Sequence, residues 1–229
     1  MPKNGSGALH GTETRESGLE TAVRAAGGFD ASGRAHAPEV DEIDRLRAHE
    51  YNLLALLLGR APSRDLLERV AALKGDATPL GLAHVALAEA AAAADPDALS
   101  REFFDLFVGV GRGELLPYAS YYLTGFLYER PLVRLREDLG ALGIERAAGQ
   151  HEPEDHIAIL CEIMAGLASG HFAAGLDAQR RLFERHLEPW AARFFADLET
   201  ARHARFYRAV GALGRLFMEI EAEAFAMDA

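Results

Sequence analysis

The sequence predicts an all-α protein: a single globular domain of about nine helices, spanning residues 41–229, behind a flexible N-terminal arm of residues 1–40. Three observations point there. Apolar residues recur at helical spacing in one segment after another from Asp41 onward. Helix start signals precede several of those segments, at Asp41, Ser63, Thr78-Pro79 and Asp95-Pro96. No segment shows the two-residue alternation of β-branched side chains that marks a strand, so no sheet is expected.

Taken in order, the arm carries Gly, Ser, Thr, His and scattered charge without a sustained apolar period. Leu19 to Ala26 could form a short helix, stopped by Gly27-Gly28. Asp41 then caps a helix with Ile43, Leu46, Leu53, Leu54, Leu57 and Leu58 on one stripe, which ends between Gly59 and Pro62. Ser63 caps a short helix, and Thr78-Pro79 opens an Ala-rich one. Asp95-Pro96 opens the helix that carries Phe103, Phe104, Leu106 and Phe107. Gly109 to Pro117 reads as a loop. An aromatic helix follows with Tyr121, Tyr122, Phe126 and Tyr128, kinked or broken near Pro131. Gly140 to His151 is a second long loop. Helices near Leu176–Leu187, from Pro189, and from about Arg202 to Ala226 complete the chain.

The stretch from Glu152 to Leu167 lies between them. Pro153 suits the first turn of a helix, and Glu154 and Asp155 would then meet the positive end of its dipole. From Ile157 onward the residues are apolar on nearly every face, which places this helix at the centre of the domain. Glu162 is the exception, two turns beyond Asp155 on the same face.

Composition excludes several classes of function. The net charge of −11 disfavours a nucleic-acid partner and favours a cationic one. One cysteine, Cys161, rules out an internal disulfide and fits a reducing compartment. No apolar run spans a bilayer and no secretory signal is recognisable, so the cytoplasm is expected, without stable membrane insertion. Neither lysine lies in a phosphate-binding loop, and no nucleophile elbow occurs. None of the nine histidines follows a glutamate at the spacing of helical di-metal sites. His151-Glu152 and His156 are interrupted by Pro153, so no metal, no cofactor and no catalytic residue is assigned.

Two surfaces remain, and each has a plain reading. Phe103, Leu106 and Phe107 at helical spacing read as core, Pro117-Tyr118 as a loop-to-helix turn. Asp155 reads as a first-turn charge, His156 as a hydrogen-bonded core histidine. Yet three motifs stand in a telling order: Glu102-Phe103-Phe104-Asp105-Leu106-Phe107-Val108-Gly109, then Pro117-Tyr118-Ala119-Ser120-Tyr121-Tyr122, then, about thirty residues later, Glu152-Pro153-Glu154-Asp155-His156. Together they resemble the TorD/DmsD/NarJ family of maturation chaperones for molybdenum-containing redox enzymes, from Asp41 to the C-terminus.

The resemblance implies an all-helical, non-enzymatic chaperone. It would bind the twin-arginine signal peptide and the apo-form catalytic subunit of a molybdopterin-containing oxidoreductase, delaying export until the cofactor is inserted. It would be a monomer or homodimer. The family's groove would map onto Phe103, Leu106, Phe107, Pro117, Tyr118, Ser120, Asp155 and His156; some relatives carry Trp at the Tyr118 position. The residues themselves fit such a partner. A twin-arginine peptide is basic at one end and apolar beyond it, and no Lys or Arg separates Arg146 from Arg180, whereas Glu152, Glu154, Asp155 and Glu162 do. Three other readings stay open: a NarJ-like assembly chaperone for a non-exported subunit, a small helical enzyme using His156 with Asp155 or Cys161, and a plain helical scaffold.

Overall fold

The protein is described here by a computed structural model that covers residues 22–25 and 40–227. The most completely buried helix is α7, Ile157–Ala168. Of its twelve residues only Glu162 and Gly166 escape full burial, as its nearly uniform apolar sequence requires. Each fully buried Leu or Ile there contributes about 1.5–3 kcal/mol. The first helix, α1 (Glu42–Gly59), lies along it. α2 (Arg64–Ala71) packs on α3 (Pro79–Ala93), and α3 packs on the last helix, α10 (Phe206–Met227).

The long α10 also rests on α9 (Ala191–Thr200), and Gly211 lets the two come close. A Cβ there would lie 2.6 Å from the backbone nitrogen of Glu199. α8 (Leu176–His186) covers another side of α7.

Local signals set the helix starts. The side chains of Asp41, Ser63, Thr78 and Asp95 accept hydrogen bonds from the N–H groups of Asp44, Leu66, Gly81 and Ala98. α4 (Pro96–Phe103) runs on into a π-helical turn, Phe104–Val108, which ends at Gly109 with φ 60° and ψ 174°. That conformation is all but confined to glycine. The loop beyond it is anchored, because Glu114 and Leu115 donate to the carbonyls of Asp105 and Leu106.

The structure departs from the sequence reading in three places. The aromatic helix breaks earlier than Pro131. α5 (Ala119–Thr124) stops at Gly125, in the left-handed region, and α6 (Arg130–Ala141) restarts with Pro131 in its first turn. The expectation of no sheet fails at one antiparallel pair, β1 (Val23–Ala25) with β2 (Ile144–Arg146), the latter inside the expected loop after Gly140. Residues 22–25 are thus extended, not part of the short helix expected over Leu19–Ala26. Val23 is 1% exposed, and Ala147 donates to the carbonyl of Ala22. The remainder of the expected arm, residues 1–21 and 26–39, lies outside the described residues. Third, α7 begins at Ile157 with His156 as its N-cap, so Glu154 and Asp155 are not in a first helical turn.

Candidate functional site

The start of α7 is held by a clasp between two stretches about 35 residues apart. Tyr118 and His156 form an antiparallel bridge. The Ile157 N–H donates to the Pro117 carbonyl at 2.9 Å and the Ala119 N–H to the Asp155 carbonyl at 3.0 Å. The Asp155 carboxylate completes the clasp. Its Oδ2 accepts from the backbone N–H of Ser120 at 2.9 Å and from its hydroxyl at 2.5 Å. With Asp155 1% exposed and Ser120 fully buried, this carboxylate caps α5 from a distance. That corrects two expectations: Asp155 does not stabilise its own helix, and both it and Ser120 are buried and bonded to each other through Oδ2, while Asp155 Oδ1 is buried without a hydrogen-bond partner among the described residues. Pro117 is buried beside them.

Tyr118 sits between the clasp and solvent. Its ring meets His156 edge to face, with centroids 5.1 Å apart, and its hydroxyl donates to Glu152 Oε2 at 2.6 Å. Burial, and then Glu152, push that hydroxyl well above the ordinary phenol range, so it stays protonated and orients the exposed carboxylate. His156 Nδ1 accepts from the Ala158 N–H at 3.1 Å, which is the cap of α7.

Burial pushes the His156 imidazole down from 6.5 to about 4. In the unfolded chain the ring takes up its proton near its ordinary pKa of about 6.5. Between that value and about 4 the unfolded state therefore binds more protons than the folded one, and stability falls as pH falls. The expected contribution approaches ~1.4 kcal/mol per pH unit in that window. His156→Asn keeps an acceptor for the Ala158 N–H but cannot titrate, so urea melts across the window should lose that slope. The same pH dependence in both proteins would contradict the assignment.

Beside the clasp opens a cavity of about 470 Å³. Its walls are the C-terminal half of α1, the loop from Ala147 to Gln150, and the face of α7 carrying His156, Ile159 and Glu162. Ala22 closes one edge. Two carboxylates line it, the exposed Glu152 and the half-buried Glu162, together with one cation, Arg60, among the described residues. Burial raises the Glu162 pKa, opposed by backbone N–H groups of Ala22 and Val23. The expected group of four carboxylates is thus reduced to two. Asp155 faces Ser120, and Glu154 is paired with Arg136, whose Nε and Nη2 donate to it at 2.9 and 2.8 Å.

Phe103, Leu106 and Phe107 do not join this cavity. They gather around α10, with Phe103 and Phe107 5.1 Å apart and Phe107 5.3 Å from Tyr207, whose hydroxyl donates to the Leu57 carbonyl. Leu106 is fully buried, so it is core and cannot line an open groove. Phe103 and Phe107 are half-buried on its flank.

Comparisons with known proteins give these features a context. The sequence pattern of the family described as "Nitrate reductase delta subunit" matches residues 73–196, more than half of the chain. The chain belongs to that family. A "Chaperone protein TorD" of Vibrio cholerae is 33% identical over 165 residues, which cover 68% of this chain and 71% of the relative. TorD of Shewanella loihica is 24% identical over 214 residues, covering 82% and 97%. A solved structure of a candidate redox enzyme maturation protein from Archaeoglobus fulgidus superposes with a TM-score of 0.53 at 24% identity, over 76% of this chain and 94% of that one. The protein is a redox enzyme maturation chaperone of the TorD/NarJ kind, and its relatives are named chaperones, not enzymes.

Within a TorD-like chain, part of each motif is structural. Glu102, the acidic residue ahead of the phenylalanines, accepts from the N–H groups of Arg205 and Tyr207 and fixes the start of α10. Glu114 does the same for Arg202 and His203. Sequence reasoning missed both, because their partners lie about 90–100 residues away and no local pattern marks them. The chemistry of an enzyme finds little support. Cys161 is fully buried and burial raises its thiol pKa, which disfavours the thiolate. Among the described residues no group of His, Cys, Asp and Glu has the arrangement of a metal site. No helix among them is long and apolar enough to cross a membrane.

Proposed function

We propose that this chaperone acts in the cytoplasm by binding the twin-arginine signal peptide of a molybdopterin-containing oxidoreductase, delaying export of the apo-enzyme until its cofactor is in place. The supporting observation is the cavity at the start of α7, where Glu152 and Glu162 stand at the edge of a recess that also carries Ala55, Leu56 and Ile159. Arginine recognises carboxylates through paired, charge-assisted hydrogen bonds, and an apolar wall accepts the hydrophobic part of such a peptide. Glu152 is already aimed by Tyr118, so less side-chain order is lost when an arginine arrives.

Binding of a synthetic signal peptide should weaken as salt rises, since attraction between exposed charges is screened over about 8–10 Å near physiological ionic strength. Calorimetry from low to high salt tests this. Affinity indifferent to salt would remove the carboxylates from the account. The family also matches the name of a nitrate reductase subunit, which keeps a non-exported client as the second reading. A client N-terminal peptide without paired arginines that binds better than the twin-arginine peptide would favour that reading.

A further inference from the structure

The chain's own N-terminal segment lies against the group that the proposed ligand needs. The Ala22 N–H donates to both oxygens of Glu162, at 2.9 and 3.2 Å. Glu162 interrupts the apolar surface of α7, and here its carboxylate receives backbone N–H groups from 140 residues away in place of a cation. Val23 is 1% exposed and Ala22 6%, so two small apolar side chains fill the space between β2 and α7. Arg24 points outward to Glu145 at 3.4 Å, an exposed pair of little energy. Ala22 also forms part of the cavity wall.

We propose that the seat of Ala22–Ala25 is a peptide-binding seat, filled in the resting chain by its own segment and taken over by an extended segment of the client. This rests on the peptide-binding reading above. Three features of the seat carry it. First, β2 pairs with β1 alone among the described residues, so departure of β1 bares the edge of β2 beside the cavity. Such an edge accepts any extended chain through backbone hydrogen bonds, while side-chain pockets supply selectivity.

Second, the resident strand is only three residues long, with one ladder partner, and strand pairs of that size are marginal alone. Third, Glu162 cannot serve Ala22 and a client arginine in the same geometry, so the two occupants exclude one another. The resident residues also describe the preferred occupant: a small apolar residue at the position of Val23, followed by an arginine that can reach Glu145.

A seat that is open for a fraction of the time lowers apparent affinity by that fraction. The uncharged double variant Ala22→Pro, Val23→Asn removes the N–H that Glu162 accepts and the buried side chain; of the cavity lining it changes Ala22 alone and keeps Glu152, Ile159 and Glu162. In the full chain it should bind a fluorescein-labelled twin-arginine peptide about tenfold or more tightly than wild type by anisotropy. Equal or weaker binding by the variant overturns the proposal. If neither protein binds that peptide, the functional reading fails separately, and a synthetic peptide of residues 19–28 decides the seat. Its binding to the variant, about tenfold tighter than to wild type, keeps the seat as a peptide site. No binding to the variant overturns it.

Discussion

Leu106→Ala is expected to destabilise the fold by about 2–5 kcal/mol while leaving peptide affinity unchanged. Leu106 is fully buried in the π-helical turn, and its carbonyl holds Leu115 at 2.8 Å. Truncation leaves a cavity that the anchored Gly109–Pro117 loop cannot collapse to fill, since a Cβ at Gly113 would already lie 2.6 Å from the Leu106 oxygen. In a chain of this size the loss should lower the melting temperature by roughly 5–15 °C. A variant that melts like wild type but no longer binds peptide would return Leu106 to a groove and reopen the placement of the site.

Glu221→Ala should cost about 3–5 kcal/mol, because it leaves a largely buried guanidinium short of its partner. Glu221 is 1% exposed in α10 and takes two hydrogen bonds from Arg47 of α1, both at 2.8 Å. The Tyr51 hydroxyl adds a third at 2.8 Å, and Arg47 also reaches Gln179 of α8 at 3.0 Å. The network therefore ties α1, α8 and α10 together. Tyr51→Phe removes one donor and should cost less. Urea denaturation of both variants ranks them, and a Glu221→Ala loss below that of Tyr51→Phe would contradict the network's importance.

Neither effect could be ranked from sequence. Ile43 and Leu46 sit on the same predicted stripe as Leu54 and Leu57, yet they remain 69% and 60% exposed while the latter pair is fully buried. Periodicity finds a face but not how far the neighbours extend over it. What the sequence does carry is local chemistry. The caps at Asp41, Ser63, Thr78 and Asp95 form with their own next turn, and the all-round apolar pattern of α7 has one physical resolution, burial.

Long-range pairing is where local rules lose. Pro153 is a sound start signal, yet it opens only a turn, closed by the His156 N–H on its carbonyl; Pro117 accepts from the Ile157 N–H and Ser120 holds the Asp155 carboxylate, so the helix begins later, at Ile157. The Val23–Ala25 strand has no alternating pattern of its own and exists through β2, more than a hundred residues on. The candidate site shows the same division. Glu152, His156 and Glu162 do meet around one recess, with Tyr118 holding Glu152 and His156 from beside it and Pro117, Ser120 and Asp155 behind as supports. The phenylalanine motif, near them in sequence order, packs on α10 instead.

The central claim is that Glu152, at the mouth of the cavity, receives an arginine of the client's signal peptide. Titration calorimetry with one synthetic twin-arginine peptide, against wild type and Glu152→Gln at low salt, measures it most directly. Glu152 is exposed and its substitution leaves the clasp intact, so both proteins should melt alike. The account predicts one peptide per chain for wild type and a loss of about tenfold or more in affinity for Glu152→Gln, the worth of a charge-assisted pair. Equal affinity in the two proteins, or no binding to wild type, would contradict it.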